Sequence, residues 1–335
     1  MSRFAQRLSG LVLGVAMTIF SLGVSTAVAQ DMGKSNAGNA IRISPVRSSL
    51  TISPGGSDSV VLNVQNLTNQ AVEYQAIIND FVAGNDELGQ PSLILDADKF
   101  APSHSLKRFI AAIPNFTIPG KSAKDIKVSI TIPKGTAGGG YYGAVRFAPT
   151  TGSDATKNVS LTASVGSLVL VKVPGDIKEN LLLESIDVRT SEQASEASGF
   201  FTSNKDLYAV VRFKNTGNVH QQPFGRVLLK KGDRVLQAVE INKDYPQANV
   251  LPESVRRFSV KLTKVGAWGK YTVEGNFGYG SNGQLLSGKT SFIVVPIMYI
   301  LIGLLLVGLV IYAIFGLPRA IKRYNAGVIR RANRR

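Results

Sequence analysis

The stretch Asp125-Ile126-Lys127-Val128-Ser129-Ile130-Thr131-Ile132 alternates polar and apolar residues without a break. Successive side chains on a strand point to opposite faces, so this pattern specifies one buried and one wetted face. A helix would instead group its apolar residues three and four positions apart. Working outward, the same grammar repeats. Upstream, Leu50-Thr51-Ile52 runs into Ser53-Pro54-Gly55-Gly56, then Ser59–Gln65, the turn Asn66-Leu67-Thr68-Asn69, and Val72–Ile77. Strand, Asn-rich turn and strand at this spacing predict an antiparallel hairpin. Downstream, Gly138-Gly139-Gly140 leads into Tyr141–Phe147, a polar loop covers Thr150–Asn158, and Leu161–Val173 reads as a strand buried on both sides. Strands at intervals of about 8–12 residues, with no helical pattern between them, point to an immunoglobulin-like sandwich.

Pro174-Gly175 breaks this series, and a second one follows. Leu181–Val188, Leu207–Lys214, Val255–Leu262, Gly269–Phe277 and Thr290–Val295 read as strands, and Val227–Leu236 as a hairpin about Lys231-Gly232-Asp233. Two apolar segments flank the sandwiches. Arg3 and Arg7, an apolar stretch and Ala27-Val28-Ala29 describe a secretory signal cleaved after Ala29. Ile297–Phe315 is nineteen residues without a charge, about 28 Å of helix and close to the hydrocarbon thickness of a bilayer. Seven Arg and Lys and no acid follow it, which predicts a cytoplasmic C-terminus by the positive-inside rule.

The expected fold class is therefore all-β: two tandem immunoglobulin-like β-sandwich domains followed by a single transmembrane α-helix. The expected boundaries are a signal peptide over 1–29, a flexible segment over 30–40 and sandwiches over 41–173 and 174–295. A transmembrane helix over 296–317 and a basic tail over 318–335 complete the chain. The formal net charge of +16 is largely a matter of its ends, which hold nine of the 38 basic residues. The other 29 face all 22 acidic ones, a mildly basic surface and no nucleic-acid stripe. The chain has no cysteine, which favours a bacterial exporter and removes thiolate and iron–sulfur chemistry.

No catalytic constellation emerges, so the chain reads as a non-enzyme without cofactor or metal. His104 and His220 lie far apart and read as ordinary loop or strand residues. Gly283–Thr290 matches the phosphate-loop pattern letter for letter, but it leads into a strand heading for the membrane and reads as a hairpin turn. Asp80, Asn85, Asp86 and Glu87, like Asp96 and Asp98, lack the calcium-loop order and read as solvated loops. Trp268, Tyr271 and Phe277 read as core or bilayer-proximal packing.

Ser53-Pro54-Gly55, Val60–Thr68, Ile118-Pro119-Gly120, Val128–Pro133 and Gly139–Phe147 resemble the peptidoglycan-binding domain of the WxL-interacting proteins of Gram-positive bacteria. Val211–Asn218, Val250–Ser254 and Gly269-Lys270-Tyr271 are similar to that family's membrane-proximal, host-binding domain. The same strand-and-turn grammar also describes pilus-chaperone sandwiches and adhesion domains. The resemblance implies a membrane-anchored surface protein that contacts peptidoglycan or an extracellular protein, with Tyr141 and Tyr142 as the candidate ligand-binding residues. Lipid contact falls to Ile297–Phe315 and the basic tail. The alternative is a sensor or accessory subunit that signals through the helix to a cytoplasmic partner.

This topology predicts a mature N-terminus at Gln30, checked by N-terminal sequencing. Protease added to intact cells is expected to degrade the chain up to about Val294. A protected bulk in cells whose envelope admits the protease reverses the orientation.

Overall fold

Alternation turns into packing in two successive sandwiches. The computed structural model describes residues 40–150, 164–194 and 196–332. The expected signal peptide, nearly all of the segment over 30–40 and most of the Thr150–Asn158 loop lie outside them.

In the first sandwich, β1 (Ile41–Ser44), β3 (Ser57–Asn66) and β7 (Ala123–Thr131) form one sheet in the order β1-β3-β7. Facing it is a sheet in the order β2-β9-β8-β4-β5, from β2 (Arg47–Thr51), β9 (Val165–Val173), β8 (Gly139–Pro149), β4 (Val72–Ala83) and β5 (Pro91–Leu93). A short β6 (Phe116–Ile118) also pairs with β4. The strictly alternating stretch is β7, and Ile126, Val128 and Ile130 are the side chains it sends inward, against Leu62, Phe147 and Val171. The inward and outward faces follow the sequence pattern.

The partner of β3 does not. β3 pairs with β1 and β7 on its two sides, whereas β4 pairs with β8 in the opposite sheet. The expected hairpin through Asn66–Asn69 is thus a crossover between sheets. Asn66 is fully buried and explains it. Its Nδ2 donates to the carbonyls of Gln70 and Ile118, and its Oδ1 accepts from the Thr68 N–H. The side chain fills the hydrogen bonds that a hairpin ladder would have supplied.

The second sandwich repeats the device. A sheet in the order β10-β12-β15 comprises β10 (Leu181–Arg189), β12 (Leu207–Asn215) and β15 (Ser254–Leu262). It faces β11-β17-β16-β13-β14, from β11 (Phe200–Phe201), β17 (Gln284–Val294), β16 (Gly269–Tyr279), β13 (Phe224–Lys231) and β14 (Arg234–Ile241). The expected hairpin about Lys231-Gly232-Asp233 is β13–β14. The phosphate-loop lookalike is the start of β17, paired along its length with β16. Phe213 and Phe277 meet edge to face at 5.0 Å in a core that also holds Tyr271 and Phe292. Asn215 ends β12 as Asn66 ends β3, also fully buried, with Nδ2 donating to Val219 and Val250 carbonyls and Oδ1 accepting from Gly217.

Two residues after β17 the chain enters α1 (Ile297–Ile311). A π-helical turn over Tyr312–Gly316 then leads into α2 (Leu317–Ala332). Ile297–Ala326 is the one helix among the described residues long and apolar enough to cross a membrane. The expected boundary at 317 is not a helix end, because the basic segment continues the same helix. Pro318 has no N–H for the carbonyl one turn back, and the wider π turn just before it accommodates the ring.

Replacing a buried, fully bonded Asn strands the backbone groups it serves. Asn215→Ala is expected to cost about 2–3 kcal/mol, and the exposed Asn63→Ala less than about 0.5. Chemical denaturation of the detergent-solubilised full chain compares the two.

Candidate binding cleft at the junction of the sandwiches

The two sandwiches belong to one compact unit that begins at Ala40. Their junction is built around Asn218, in the turn after β12. Its backbone carbonyl accepts the Gly140 N–H (2.7 Å) and its Nδ2 donates to Gly138 (3.0 Å) and Asp176 (2.7 Å) carbonyls. Its Oδ1 accepts from the Lys178 N–H (2.7 Å). One side chain thus ties the second sandwich to the linker and to the start of β8. This explains the glycine run. A Cβ on Gly138 would lie 2.7 Å from the backbone nitrogen of Asp176, and one on Gly139 3.0 Å from the Asn218 carbonyl oxygen.

Tyr141 and Tyr142 follow in β8 and take opposite faces. Tyr141 lies half-buried against the first core, edge-on to Phe109, and its hydroxyl donates to the Ala137 carbonyl. Tyr142 points away from that core into the junction, where it is 2% exposed beside Phe81 and Leu170. Its hydroxyl accepts the His220 N–H at 2.8 Å, and its ring sits between those of His104 and His220. Burial pushes its phenol well above the ordinary range. Leu251 of the second sandwich closes over this cluster, so Leu170 is buried on the outer face of β9 while Leu168 and Lys172 on that face stay partly exposed.

The far side of the junction is clamped by Glu87. Its two carboxylate oxygens accept from Arg212 Nε (2.8 Å) and Nη2 (2.5 Å), and its own carbonyl accepts the Arg257 N–H. The Arg212 guanidinium holds the Glu87 carboxyl below the usual carboxylate range. The loop read as solvated is therefore bonded to the second sandwich. Asp80 is also committed to the fold, accepting N–H groups of Ala101 and Lys107. No group of three metal-ligating side chains occurs among the described residues.

Between Asn218 and Glu87 lies a cleft of about 330 Å³. Phe81, Ser103, His104 and Tyr142 line it from the first sandwich, and Leu251 and Glu253 from the second. Aromatic rings, a hydroxyl and a carboxylate converge there, and no nucleophile is paired with a base. Of the two candidate tyrosines Tyr142 lies here, together with Glu253 and His104, which the sequence does not single out as parts of one place. Nothing local signals them, because their meeting depends on how the sandwiches dock. A larger trough of about 820 Å³, lined by Phe224, Leu228 and Leu285, lies on the second sandwich alone.

His220 carries the pH dependence of the junction. Burial first, then the charges of Lys172 and Arg47, lowers its imidazole from 6.5 to about 4. As pH falls below 6.5 the unfolded chain takes up the proton first, so this contribution is full above that value and is lost towards pH 4. Between pH 7 and 5 the expected loss is about 2 kcal/mol. His220→Gln is expected to lose less over that range, as read by chemical denaturation at each pH.

No protein-family model matches the sequence, and neither does any curated protein. Solved structures of fimbrial chaperones are similar to it at low scores. One comes from a chaperone–tip adhesin complex of CFA/I fimbriae biogenesis, with 15% identity and a TM-score of 0.39 over 76% of this chain and 99% of that one. The class 5 fimbriae chaperone CfaA gives 13% and 0.38 over 76% and 99%. The Escherichia coli chaperone DraB gives 12% and 0.33 over 76% and 96%. At these scores no function passes from those proteins to this chain.

Proposed function

We propose that this chain is a membrane-anchored, non-catalytic binding protein of the bacterial surface whose junction cleft takes a segment of cell-wall polymer, peptidoglycan above all. The observation that carries the reading is the cleft's composite wall. The half-exposed ring of His104, backed by the buried rings of Phe81 and Tyr142, suits the C–H face of a sugar ring, and the exposed Ser103 and Glu253 suit its hydroxyls. The apolar C-terminal helix with its one-sided basic continuation supports an anchor with the sandwiches outside. The resemblance of Ile41–Pro149 to the peptidoglycan-binding domain of WxL-interacting proteins supports the choice of polymer. Of the two candidate tyrosines, Tyr142 is the one at the cleft, and Tyr141 is a packing residue on the other face of β8.

The test is co-sedimentation of the full chain, in detergent or nanodiscs, with purified peptidoglycan. Ser103 and Glu253 are exposed, so Ser103→Trp and Glu253→Arg fill or recharge the cleft without touching a core. Both are expected to abolish binding and to change stability by no more than about 0.5 kcal/mol. Binding through basic charge alone would fade above physiological salt, where screening acts over about 8 Å. Failure to sediment at low salt, or binding indifferent to both substitutions, overturns the proposal.

A further inference from the structure

One end of the second sandwich carries exposed apolar side chains that its core does not need. Trp268, in the loop between β15 and β16, is 66% exposed, and its indole lies 6.5 Å from the ring of Tyr299 in the first turn of α1. Beside it, β17 ends its pairing at Val294. One residue earlier, Ile293 stands opposite Phe200 on one side and Lys270 on the other. Ile293 and Phe200 are 42% and 50% exposed, so the outer face of the sheet ends in an apolar row a few residues before the helix.

The charges beside Trp268 on the chain are basic, while Glu192, Glu196 and Asp206 also lie at this end of the sandwich, Asp206 paired with Lys261. Lys264 and Lys270 flank Trp268 on the chain, and both are exposed. Lys231 Nζ donates to the Trp268 carbonyl at 3.3 Å. The loop from Thr263 to Lys270 has no acid, and Asp233 is the one carboxylate in the β13–β14 turn, next to Arg234. An indole with apolar neighbours, ringed by lysines and packed against the first turn of an apolar helix, fits one environment. That environment is the boundary between acyl chains and anionic headgroups, where Trp and Tyr concentrate and lysines meet lipid phosphates.

We infer that this end of the second sandwich docks on the membrane, with Trp268, Phe200 and Ile293 in the headgroup layer and Lys231, Lys264 and Lys270 on anionic lipid. The helix is then not a free tether: the sandwich sits on the bilayer and holds the junction cleft at a set height above it. The inference rests on the reading of Ile297–Ala326 as a membrane span.

Trp268 is the only tryptophan in the chain, so its fluorescence reports on this surface alone. The full chain is reconstituted into phosphatidylcholine bilayers with or without phosphatidylglycerol, carrying spin labels at the headgroup or deep in the acyl chain. The headgroup label is expected to quench Trp268 strongly, more so with phosphatidylglycerol, and aqueous iodide weakly. Changing Lys231, Lys264 and Lys270 to Gln is expected to remove the phosphatidylglycerol increment. Emission open to iodide and untouched by either label overturns the docking, and an unchanged increment in the Gln variant overturns the lysine contacts. A chain carrying Trp268→Phe and Leu305→Trp separates the two readings. If its tryptophan is quenched by the deep label while Trp268 reads as aqueous, the span stands and the docking fails. If neither is quenched, the span itself fails.

Discussion

Asn218 is the constraint on which the rest of this molecule depends. Through one carbonyl and one carboxamide it bonds to Gly138, Gly140, Asp176 and Lys178. Each sandwich has its own core and can bury its own apolar faces. What neither can do alone is fix its partner's orientation. Several directional hydrogen bonds converging on one half-buried residue do that, although those with Asp176 and Lys178 lie at the surface. Asn218 therefore sets an angle as well as adding stability. The Glu87–Arg212 pair closes the opposite side, and Tyr142 fills the space between them. The cleft exists because these three contacts hold.

The two sandwiches solve the same local problem in the same way. A strand ends in a buried Asn, the chain crosses between sheets, and the carboxamide replaces the missing ladder at both Asn66 and Asn215. The polar residue is needed because a crossover leaves backbone carbonyls inside a core that water does not reach. The second occurrence also positions Asn218, three residues on, so the device that finishes a strand delivers the residue that joins the sandwiches.

Periodicity made the strands legible, since the faces of β7 and β12 are stated by alternation. The nineteen uncharged residues of Ile297–Phe315 made the apolar helix legible too. Periodicity could not give the neighbour of β3, because a period of two fixes which side is buried and says nothing about which strand lies alongside. Nor could it give the end of the helix. The basic tail set the expected boundary at 317, but a π turn and the continuing backbone hydrogen bonds carry the helix on. The site was half legible. That the two tyrosines take opposite faces was legible, because adjacent side chains on a strand must part company. Tyr142's partners His104, His220 and Leu251 come from distant loops, and only docking brings them together. The acids at Asp80 and Glu87 looked like loop solvation because their partners, the Ala101 amide and Arg212, are equally remote.

A cleft at the junction requires the two sandwiches to hold one fixed arrangement. The chain has no cysteine, so two can be introduced as unique spin-label sites at exposed positions, Asp58 in the first sandwich and Asp233 in the second. Double electron–electron resonance on the full chain then reports the distance between the sandwiches. A single narrow distribution, broadened when Asn218→Ala is added, is the result expected. A broad or multimodal distribution in the otherwise native chain, or one that Asn218→Ala leaves unchanged, would contradict it.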